Sequence, residues 1–314
     1  MIPVPVAEVG EELSRKYRPY LLPRDEMEKD WISELELDTV ERISREHLLE
    51  RGEEPLKVLV LYGSLRMRFV PACMIERARR SADQLKRSYS KLMAYEACRI
   101  LHRLGVDVRV FDPKGLPMKD DVSMDHEKVQ ELRGLSAWSD GQVWCSPEQH
   151  GTVTAVFKNQ IDWIPLSTGS VRPTQSRTLS IIQVNGGSQS FNTVNWLRIL
   201  GRWMRMFTIP NQSSLPKAYT QFSDEGRLSA SGNRDRLVDC MEELVKYTWV
   251  MRPHFESWGD RFSERKEKAE KEEKKAKEKG EREEGEIEER ERMEREGTGV
   301  EEVKGEGAKI VAAV

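Results

Sequence analysis

The sequence predicts an α/β protein whose parallel five-stranded sheet is doubly wound, with helices on both faces. Two observations carry this prediction. Short apolar runs rich in Val, Leu and Ile alternate along the chain with longer segments that have a helical apolar period. The runs end in polar loops that contain Gly or Ser. Such alternation of strands and helices is typical of a parallel sheet that is buried on both faces.

The first predicted strand is the stretch Leu56–Arg66, an apolar run that ends in Gly-Ser-Leu-Arg. A buried parallel strand often passes into a phosphate-binding loop in this way. Apolar residues at helical spacing then predict a helix over Ser88–Leu104, which Gly105 ends. Val106–Phe111 alternates as a second strand.

The same alternation continues along the rest of the body, up to about residue 255. Two further strands are predicted at Gln142–Cys145 and Thr178–Val184, each followed by a polar loop, Ser146–Gly151 and Asn185–Asn192. Helices are predicted over 129–138, 153–164, 194–203 and 237–248, with an apolar stretch over 204–210. A flavodoxin-like domain over residues 55–255 is the economical interpretation.

Two segments flank this domain. Residues 1–54 have too few apolar positions for a core, which favours an arm that packs on the body or on a neighbouring subunit; a loosely held extension is the alternative. Residues 256–314 form a charged tail, predicted to be a solvated helix or disordered, because Glu and Lys recur at four-residue spacing without an apolar stripe. The tail has no heptad repeat of apolar residues, so no coiled coil is predicted.

Charge and cysteine content exclude several classes of protein. Residues 263–314 carry 14 Lys+Arg and 18 Asp+Glu, a net charge of −4, which leaves residues 1–262 at +1. A nearly neutral body gives no electrostatic reason to expect nucleic acid or an acidic membrane as a partner. The four cysteines form no Cys-x-x-Cys pair, so we expect free thiols, no metal and a cytoplasmic protein. No apolar run approaches the roughly 18 residues that span a bilayer.

The polar loops predict where a ligand binds. In doubly wound sheets the ligand lies outside the carboxyl ends of the strands. The Gly63–Arg66 loop, together with Ser88 and Ser90, offers hydroxyl groups, a guanidinium and a helix N-terminus, which suit a phosphate monoester. The Ser146–Gly151 and Gly186–Asn192 loops offer backbone N–H groups that suit the polar rim of a flat heterocycle. Together these features describe a flavin mononucleotide (FMN) site.

Several long motifs resemble those of the ArsH arsenical-resistance flavoproteins, which are NADPH-dependent FMN reductases. They are Leu-Tyr-Gly-Ser-Leu-Arg (61–66) joined to Arg-Ser-Tyr-Ser (87–90), Phe-Asp-Pro-x-Gly-Leu-Pro (111–117), Trp-Cys-Ser-Pro-Glu-x-His-Gly (144–151), Phe-Lys-Asn-Gln-Ile-Asp-Trp-Ile-Pro-Leu (157–166), Arg-Pro-Thr-Gln (172–175), Gly-Gly-Ser-Gln-Ser-Phe-Asn (186–192) and Leu-Gly-Arg-Trp-Met-Arg-Met (200–206). The resemblance covers about residues 55–255.

The resemblance implies a homotetrameric oxidoreductase with FMN as prosthetic group and NADPH as reductant. Hydride would pass from NADPH to FMN, and electrons would then pass to a quinone, an azo dye, oxygen or a trivalent organoarsenical. No protein acid or base is required. Family members often have Arg where Gln149 stands. The residues predicted to bind the cofactor are Ser64, Arg66, Ser88, Ser90, Ser146, Pro147, Glu148, Gln149, His150, Gly151, Gly186, Gly187, Ser188, Gln189 and Ser190.

Residues 67–86 separate the two halves of the predicted phosphate site, whereas relatives run directly from one half into the other. We interpret this insert as a short intron translated in frame, and a surface loop or helical excursion is the alternative. If the insert separates Ser64 from Ser88 and Ser90, FMN affinity falls. The second functional hypothesis is therefore a catalytically inactive, flavodoxin-like oligomer that binds FMN poorly and acts as an interaction protein.

Overall fold

The structure is a computed structural model that describes residues 10–66, 88–165 and 173–310. The chain divides into two compact units, residues 1–259 and 260–314. The interrupting insert of residues 67–86 lies outside the described residues.

The first unit is built on one sheet. Its strands are β1 (Lys57–Tyr62), β2 (Asp107–Val110), β3 (Gly141–Gln149), β4 (Thr152–Val153), β5 (Thr178–Val184), β6 (Phe207–Thr208) and β7 (Ser213–Leu215). The strand order is β2-β1-β3-β5-β6, and these neighbours are parallel. β7 also pairs in parallel with β5, so two short strands share the fifth position, while β4 extends β3 as an antiparallel partner. This is the flavodoxin-like order.

Helices precede, connect and follow the strands. They are α1 (Glu11–Tyr17), α2 (Arg24–Met27), α3 (Asp38–Arg42), α4 (Tyr89–Arg103), α5 (Glu127–Trp138), α6 (Ala155–Trp163), α7 (Asn192–Trp203), α8 (Gly232–Met251), α9 (Phe255–Gly259) and α10 (Phe262–Ile310). Single turns of other helix types occur at Ile43–Leu48, Leu49–Arg51, Ser123–Asp125, Ala218–Thr220 and Arg252–His254. Among the residues that the structure describes, no helix combines the length and the apolar character needed to cross a membrane.

The core lies on both faces of the sheet. Along β1, Val58 and Val60 belong to the cluster that α4 and α8 cover. The alternate residues Leu59 and Leu61 belong to the cluster that α5, α6 and α7 cover. Successive side chains of a strand point to opposite faces, so a strand buried on both sides is apolar throughout. The predicted doubly wound parallel fold is confirmed.

The described part of the N-terminal arm packs on this domain. Tyr20 is fully buried, and its hydroxyl donates to the Val108 carbonyl at 2.9 Å. The Arg18 guanidinium donates to the Asp107 carboxylate at 2.8 Å, and both side chains are buried. The arm therefore contacts β2 through a paired charge and a satisfied hydroxyl, and its buried apolar side chains, such as Val40, join the core cluster on one face of the sheet.

The predicted loop at Ser146–Gly151 is wrong in part, because β3 continues through Gln149. Ser146 and Pro147 still pair with β5, and the chain then turns back so that Gln149 pairs with Thr152. The two residues at the turn, His150 and Gly151, have φ of 51° and 75°. Two consecutive positive φ values are typical of a tight type I′ hairpin turn.

The second unit consists chiefly of the helix α10. In the first two-thirds of α10, the residues that the structure describes are highly charged and exposed. Ion pairs at i,i+4 spacing recur along it, including Lys266–Glu270, Lys271–Glu267 and Lys277–Glu273. Each such exposed pair stabilises a helix by only a few tenths of a kcal/mol. Of the two predicted states of the tail, the structure has the helix.

Candidate functional site

A cavity of about 890 Å³ opens at the carboxyl ends of β1, β3 and β5. This edge of the sheet is where ligands of doubly wound proteins bind. Its wall is formed by Gly63, Ser64, Leu65, Arg66, Ser88, Tyr89, Ser90, Pro147, Glu148, Gln149, Thr154, Ala155, Val156, Val184, Asn185, Gly186, Ala218 and Tyr219.

Gly63 fixes the path of the chain where β1 enters the cavity. Its N–H donates to the Cys145 carbonyl at 2.9 Å, and its carbonyl accepts from the Thr154 hydroxyl at 2.7 Å. A Cβ atom here would lie 2.8 Å from Thr154 Oγ1 and 2.9 Å from Phe157 Cβ. Only glycine therefore allows β1 to approach the start of α6 this closely.

The cavity wall next to Gly63 is rich in groups that bind anions. Ser88 caps α4, since its Oγ accepts from the Lys91 N–H at 3.2 Å, and Ser90 Oγ lies 3.5 Å from Ser88 Oγ. Ser64 Oγ accepts from the Arg66 N–H at 3.2 Å. The N-terminus of a helix has unpaired N–H groups and a positive partial charge. These hydroxyls, the Arg66 guanidinium and the α4 N-terminus fit a phosphate group.

A second part of the cavity wall comes from the end of β3. Glu148 accepts a hydrogen bond from Gln183 Nε2 at 2.5 Å, which orients its carboxylate. Gln149 lies on the same wall, and its side-chain nitrogen is 3.1 Å from His150 Nε2. This part of the site therefore offers polar groups at the end of β3, and Gln183 of β5 holds one of them in place.

The loop after β5 is held in place by the chain that follows it. The Asn185 N–H donates to the Leu215 carbonyl at 3.0 Å, and the Lys217 N–H donates to the Gly187 carbonyl at 2.9 Å. The Ser190 carbonyl accepts from the Ser214 hydroxyl at 2.6 Å. These three hydrogen bonds give the loop a defined shape before any ligand arrives.

Asn185 carries an unused hydrogen-bonding atom at the cavity. Its Nδ2 donates to the Ser188 carbonyl at 2.5 Å, whereas its Oδ1 is buried without a partner among the described residues. A buried oxygen of this kind is costly unless a donor reaches it. A heterocycle with N–H groups at its edge fits this wall of the cavity.

Two ionisable side chains behind the cavity are held neutral. Burial raises the pKa of the Cys145 thiol, which donates to the Ser90 carbonyl at 3.2 Å. Burial, and then the Asp112 carboxylate that accepts from its hydroxyl at 2.9 Å, raise the pKa of Tyr62. Cys145 is fully buried and protonated, so it is a packing residue rather than a nucleophile. No cluster of three or more His, Cys, Asp or Glu side chains suited to a metal occurs within residues 10–66, 88–165 and 173–310.

The structure brings together about half of the predicted site residues. Those that line the cavity are Ser64, Arg66, Ser88, Ser90, Pro147, Glu148, Gln149 and Gly186. Those outside its wall are Ser146, His150, Gly151, Gly187, Ser188, Gln189 and Ser190. Ser146 is fully buried and bonds to Pro147 and Thr154, while His150 and Gly151 form the hairpin turn. Residues on both sides of the insert, Arg66 and Ser88 among them, line one cavity.

Several wall residues were missing from the prediction. Thr154 could have been found, because a Thr just before an apolar helical face signals an N-cap, and its Oγ1 accepts from the Phe157 N–H at 3.2 Å. Asn185 stood inside a predicted loop, but its role depends on a contact made in three dimensions. Ala218 and Tyr219 gave no signal, since the turn that carries them has no strand or helix pattern.

One protein family and several known proteins are similar in sequence to this chain. The family described as NADPH-dependent FMN reductase matches residues 56–220. "NADPH-dependent FMN reductase ArsH" of Rhizobium meliloti is 55% identical over 213 residues, which are 68% of this chain and 80% of that protein. The ArsH protein of Acidithiobacillus ferrooxidans is 53% identical over 218 residues, 69% of this chain and 84% of that protein. An "NADPH azoreductase" of a Bacillus species is 25% identical over 134 residues, 42% of this chain and 70% of that protein.

Both ArsH matches extend over most of the relative as well as over most of this chain. The family match spans β1 to the Ala218–Thr220 turn, and so contains every residue that lines the cavity. The chain therefore belongs to the NADPH-dependent FMN reductase family, a family of enzymes that use FMN and NADPH, and within it to the ArsH proteins.

Proposed function

We propose that this chain binds FMN in the cavity at the carboxyl ends of β1, β3 and β5, and catalyses NADPH-dependent reduction of small molecules. The observation that carries the proposal is the joint presence, in one cavity, of an anion-binding wall and a polar rim with an unused acceptor at Asn185. Bound FMN supplies the chemistry, because it can accept hydride from a nicotinamide and pass electrons onward.

The wall beside Gly63 is the proposed phosphate site. Ser64, Ser88 and Ser90 supply hydroxyl groups, and Arg66 supplies a positive charge that can form two parallel hydrogen bonds to a phosphate. Ser88 keeps its hydroxyl proton available, because it caps α4 by accepting a hydrogen bond. The arrangement leaves donors rather than acceptors facing a phosphate dianion.

The polar rim is the proposed site of the flavin ring. Asn185 lines this rim and its Oδ1 is buried without a partner among the described residues, so we assign it as an acceptor for the ring, and Glu148 is oriented by Gln183. Tyr62 and Cys145 remain protonated behind the cavity, so they add no negative charge that would oppose reduction of the cofactor. The protein's task is then to bind, orient and exclude water, since hydride transfer requires no side-chain acid or base.

The proposed electron acceptors are quinones, azo dyes, oxygen and trivalent organoarsenicals, which would emerge pentavalent. The azo class is supported by the distant relative named as an NADPH azoreductase. The arsenical class, and with it a role in arsenic resistance and oxidative stress, is supported by the name ArsH of the two relatives that are more than half identical.

The test is purification in the presence of FMN, followed by anaerobic NADPH oxidation with each acceptor in turn. We expect a yellow protein that oxidises NADPH only when an acceptor is present. Arg66→Gln should weaken FMN binding by about 10- to 100-fold, the range for a lost hydrogen bond to a charged group. The control Arg15→Gln, which removes only an exposed ion pair with Glu11, should bind FMN normally. A folded, colourless protein with no NADPH oxidation would overturn the proposal.

The second hypothesis, an inactive interaction protein with an interrupted phosphate site, is not favoured. It requires the insert to hold Ser64 and Arg66 away from Ser88 and Ser90, whereas these four residues line the same cavity. Transcript sequencing across residues 67–86 remains the test of whether that insert is a retained intron.

We also propose a homotetramer. The outward face of α7 carries Trp196, Ile199 and Trp203, whose side chains are 46–63% exposed. Their spacing places them on one side of the helix, and a contiguous exposed apolar patch is typical of a protein interface. Light scattering after size-exclusion chromatography gives the mass. A monomer at micromolar concentration would contradict the proposal.

The compartment and the domain limits are proposals as well. The buried free thiols Cys98, Cys145 and Cys240 support a reducing compartment such as the cytoplasm. The proposed organisation is an arm over residues 1–54, the FMN reductase domain over 55–255 and a tail over 256–314. Limited proteolysis followed by mass spectrometry tests these limits.

A further inference from the structure

We propose that a second cavity, on the far side of the loop after β5, binds the adenosine end of NADPH, and that Arg236 recognises its 2′-phosphate. The proposal rests on the proposed function, because it assigns the binding of the reductant. It concerns specificity for NADPH over NADH, to which the FMN cavity itself gives no clue.

The second cavity has a volume of about 530 Å³ and a predominantly polar wall. The wall carries the side-chain amides of Gln189, Asn211, Gln212 and Asn233, the ring of Phe191 and the guanidinium of Arg236. Amide groups can pair with the polar edge of a purine, and an aromatic ring can contact its face. The wall therefore offers partners for adenine and a cation for a phosphate.

Arg236 has uncommitted donors in this cavity. Its Nη1 donates to Asn211 Oδ1 at 2.8 Å, and the nearest ion-pair partner, Asp239, is 4.0 Å away. The side chain is 53% exposed. A guanidinium has five N–H donors in a planar fork that matches a phosphate, so most of them remain available here.

Two other arginines of the domain are already occupied. Arg198 donates to Gln212 Oε1 at 2.8 Å and to the carbonyls of Ile209 and Pro210. Arg227 is paired with Glu96 at 2.6 Å and with Asp30 at 2.7 Å. The backbone N–H of Asn211 donates to the Glu243 carboxylate at 3.1 Å, and this hydrogen bond positions the Asn211 side chain next to Arg236.

One loop separates the two cavities. Asn185 and Gly186 line the FMN cavity, whereas Gln189 and Phe191 line the second cavity. At Gly186 and Gly187 the loop has no side chain, and a Cβ atom there would meet nothing within 4 Å. A dinucleotide has its two nucleosides joined by a pyrophosphate, which suits one ligand that lies across this part of the loop with its nicotinamide towards FMN.

The test compares the FMN-loaded wild-type protein with Arg236→Gln. We expect kcat/KM for NADPH to fall at least about 10-fold, with kcat, kcat/KM for NADH and FMN content unchanged, because only NADPH has the charged group that Arg236 contacts. The control is Lys246→Gln, which removes an exposed cation from the same helix, 3.9 Å from Glu242. It should leave both values unchanged.

Calorimetric titration with adenosine 2′,5′-bisphosphate gives a readout that needs no turnover. Wild-type protein should bind this probe, and Arg236→Gln should bind it at least about 10-fold more weakly, while binding of 5′-AMP is equal in both. Equal losses for NADPH and NADH, no loss for NADPH, or an unchanged probe affinity would each overturn the proposal. A wild-type protein that binds the probe in an Arg236-dependent way but oxidises no NADPH would refute the proposed function alone.

Discussion

Replacing Gly63 with alanine tests how the site is built. The added Cβ atom would lie 2.8 Å from Thr154 Oγ1, 2.9 Å from Phe157 Cβ and 3.0 Å from Pro147 Cδ. A Cβ atom essentially never lies closer than 3.0 Å to a non-bonded heavy atom, so β1, α6 or the end of β3 must move. The movement also strains the 2.7 Å hydrogen bond from Thr154 to the Gly63 carbonyl.

The magnitude follows from the kind of contact. Adding a carbon atom to a closely packed site costs about 1–3 kcal/mol. For a domain of this size each kcal/mol lowers the melting temperature by about 2–4 °C. We therefore expect Gly63→Ala to lower the melting temperature of the apoprotein by about 2–12 °C. FMN affinity should fall as well, since Ser64 follows Gly63 directly.

The assay is thermal unfolding of the apoprotein by circular dichroism, with FMN affinity from quenching of flavin fluorescence. Gly186→Ala is the matched control for stability, because its Cβ atom would meet nothing within 4 Å. We expect the free energy of unfolding of Gly186→Ala to stay within about 0.5 kcal/mol of wild type, while its FMN affinity falls. Wild-type stability and FMN affinity in Gly63→Ala would refute the close-packing argument.

Three further predictions concern other parts of the chain. Burial lowers the pKa of His102 to about 4, so between about pH 6.5 and 4 the unfolded chain binds a proton that the folded chain does not. The free energy of unfolding should therefore fall by up to about 3 kcal/mol as the pH drops from 6.5 to 4. Urea unfolding of the apoprotein measures this fall, which should be smaller in His102→Phe. Truncation after Phe262 should leave FMN affinity unchanged in a fluorescence titration, because residues 260–314 form a separate unit; a loss of FMN would contradict this. Deletion of residues 67–86 should keep or raise FMN affinity, because the residues flanking the insert line one cavity, and a protein that no longer binds FMN would disprove that reasoning.

Much of the fold and part of the site could be predicted from local patterns. The strands at Lys57–Tyr62 and Thr178–Val184 were visible because a strand buried on both faces is a largely apolar run rather than an alternating one. The proposed phosphate site could be predicted because Gly63, Ser64 and Arg66 follow a strand directly and Ser88 begins a helix. Each of these two signals is local, although residues 67–86 separate them along the chain.

Other features could not be predicted, because they depend on partners that are distant in sequence. Thr154 and Gly63 are 91 positions apart, yet their hydrogen bond shapes the entrance of the cavity. The continuation of β3 depends on pairing with β5 as far as Pro147 and then with β4 at Glu148 and Gln149, whereas polar residues alone suggested a loop. Arg236 belongs to an ordinary amphipathic helix, and only the packing of α8 beside the loop after β5 places it near Gln189.

The sequence by itself determined the alternation of elements, the doubly wound class, the family motifs and the anion-binding character of the first loop, because these follow from side-chain period and from neighbouring residues. Only the tertiary structure decided which loop residues face the cavity, that Asn185 retains an unused acceptor, and that the two sides of the insert meet. Those outcomes depend on close packing, in which a separation of one ångström between distant residues determines whether a hydrogen bond forms.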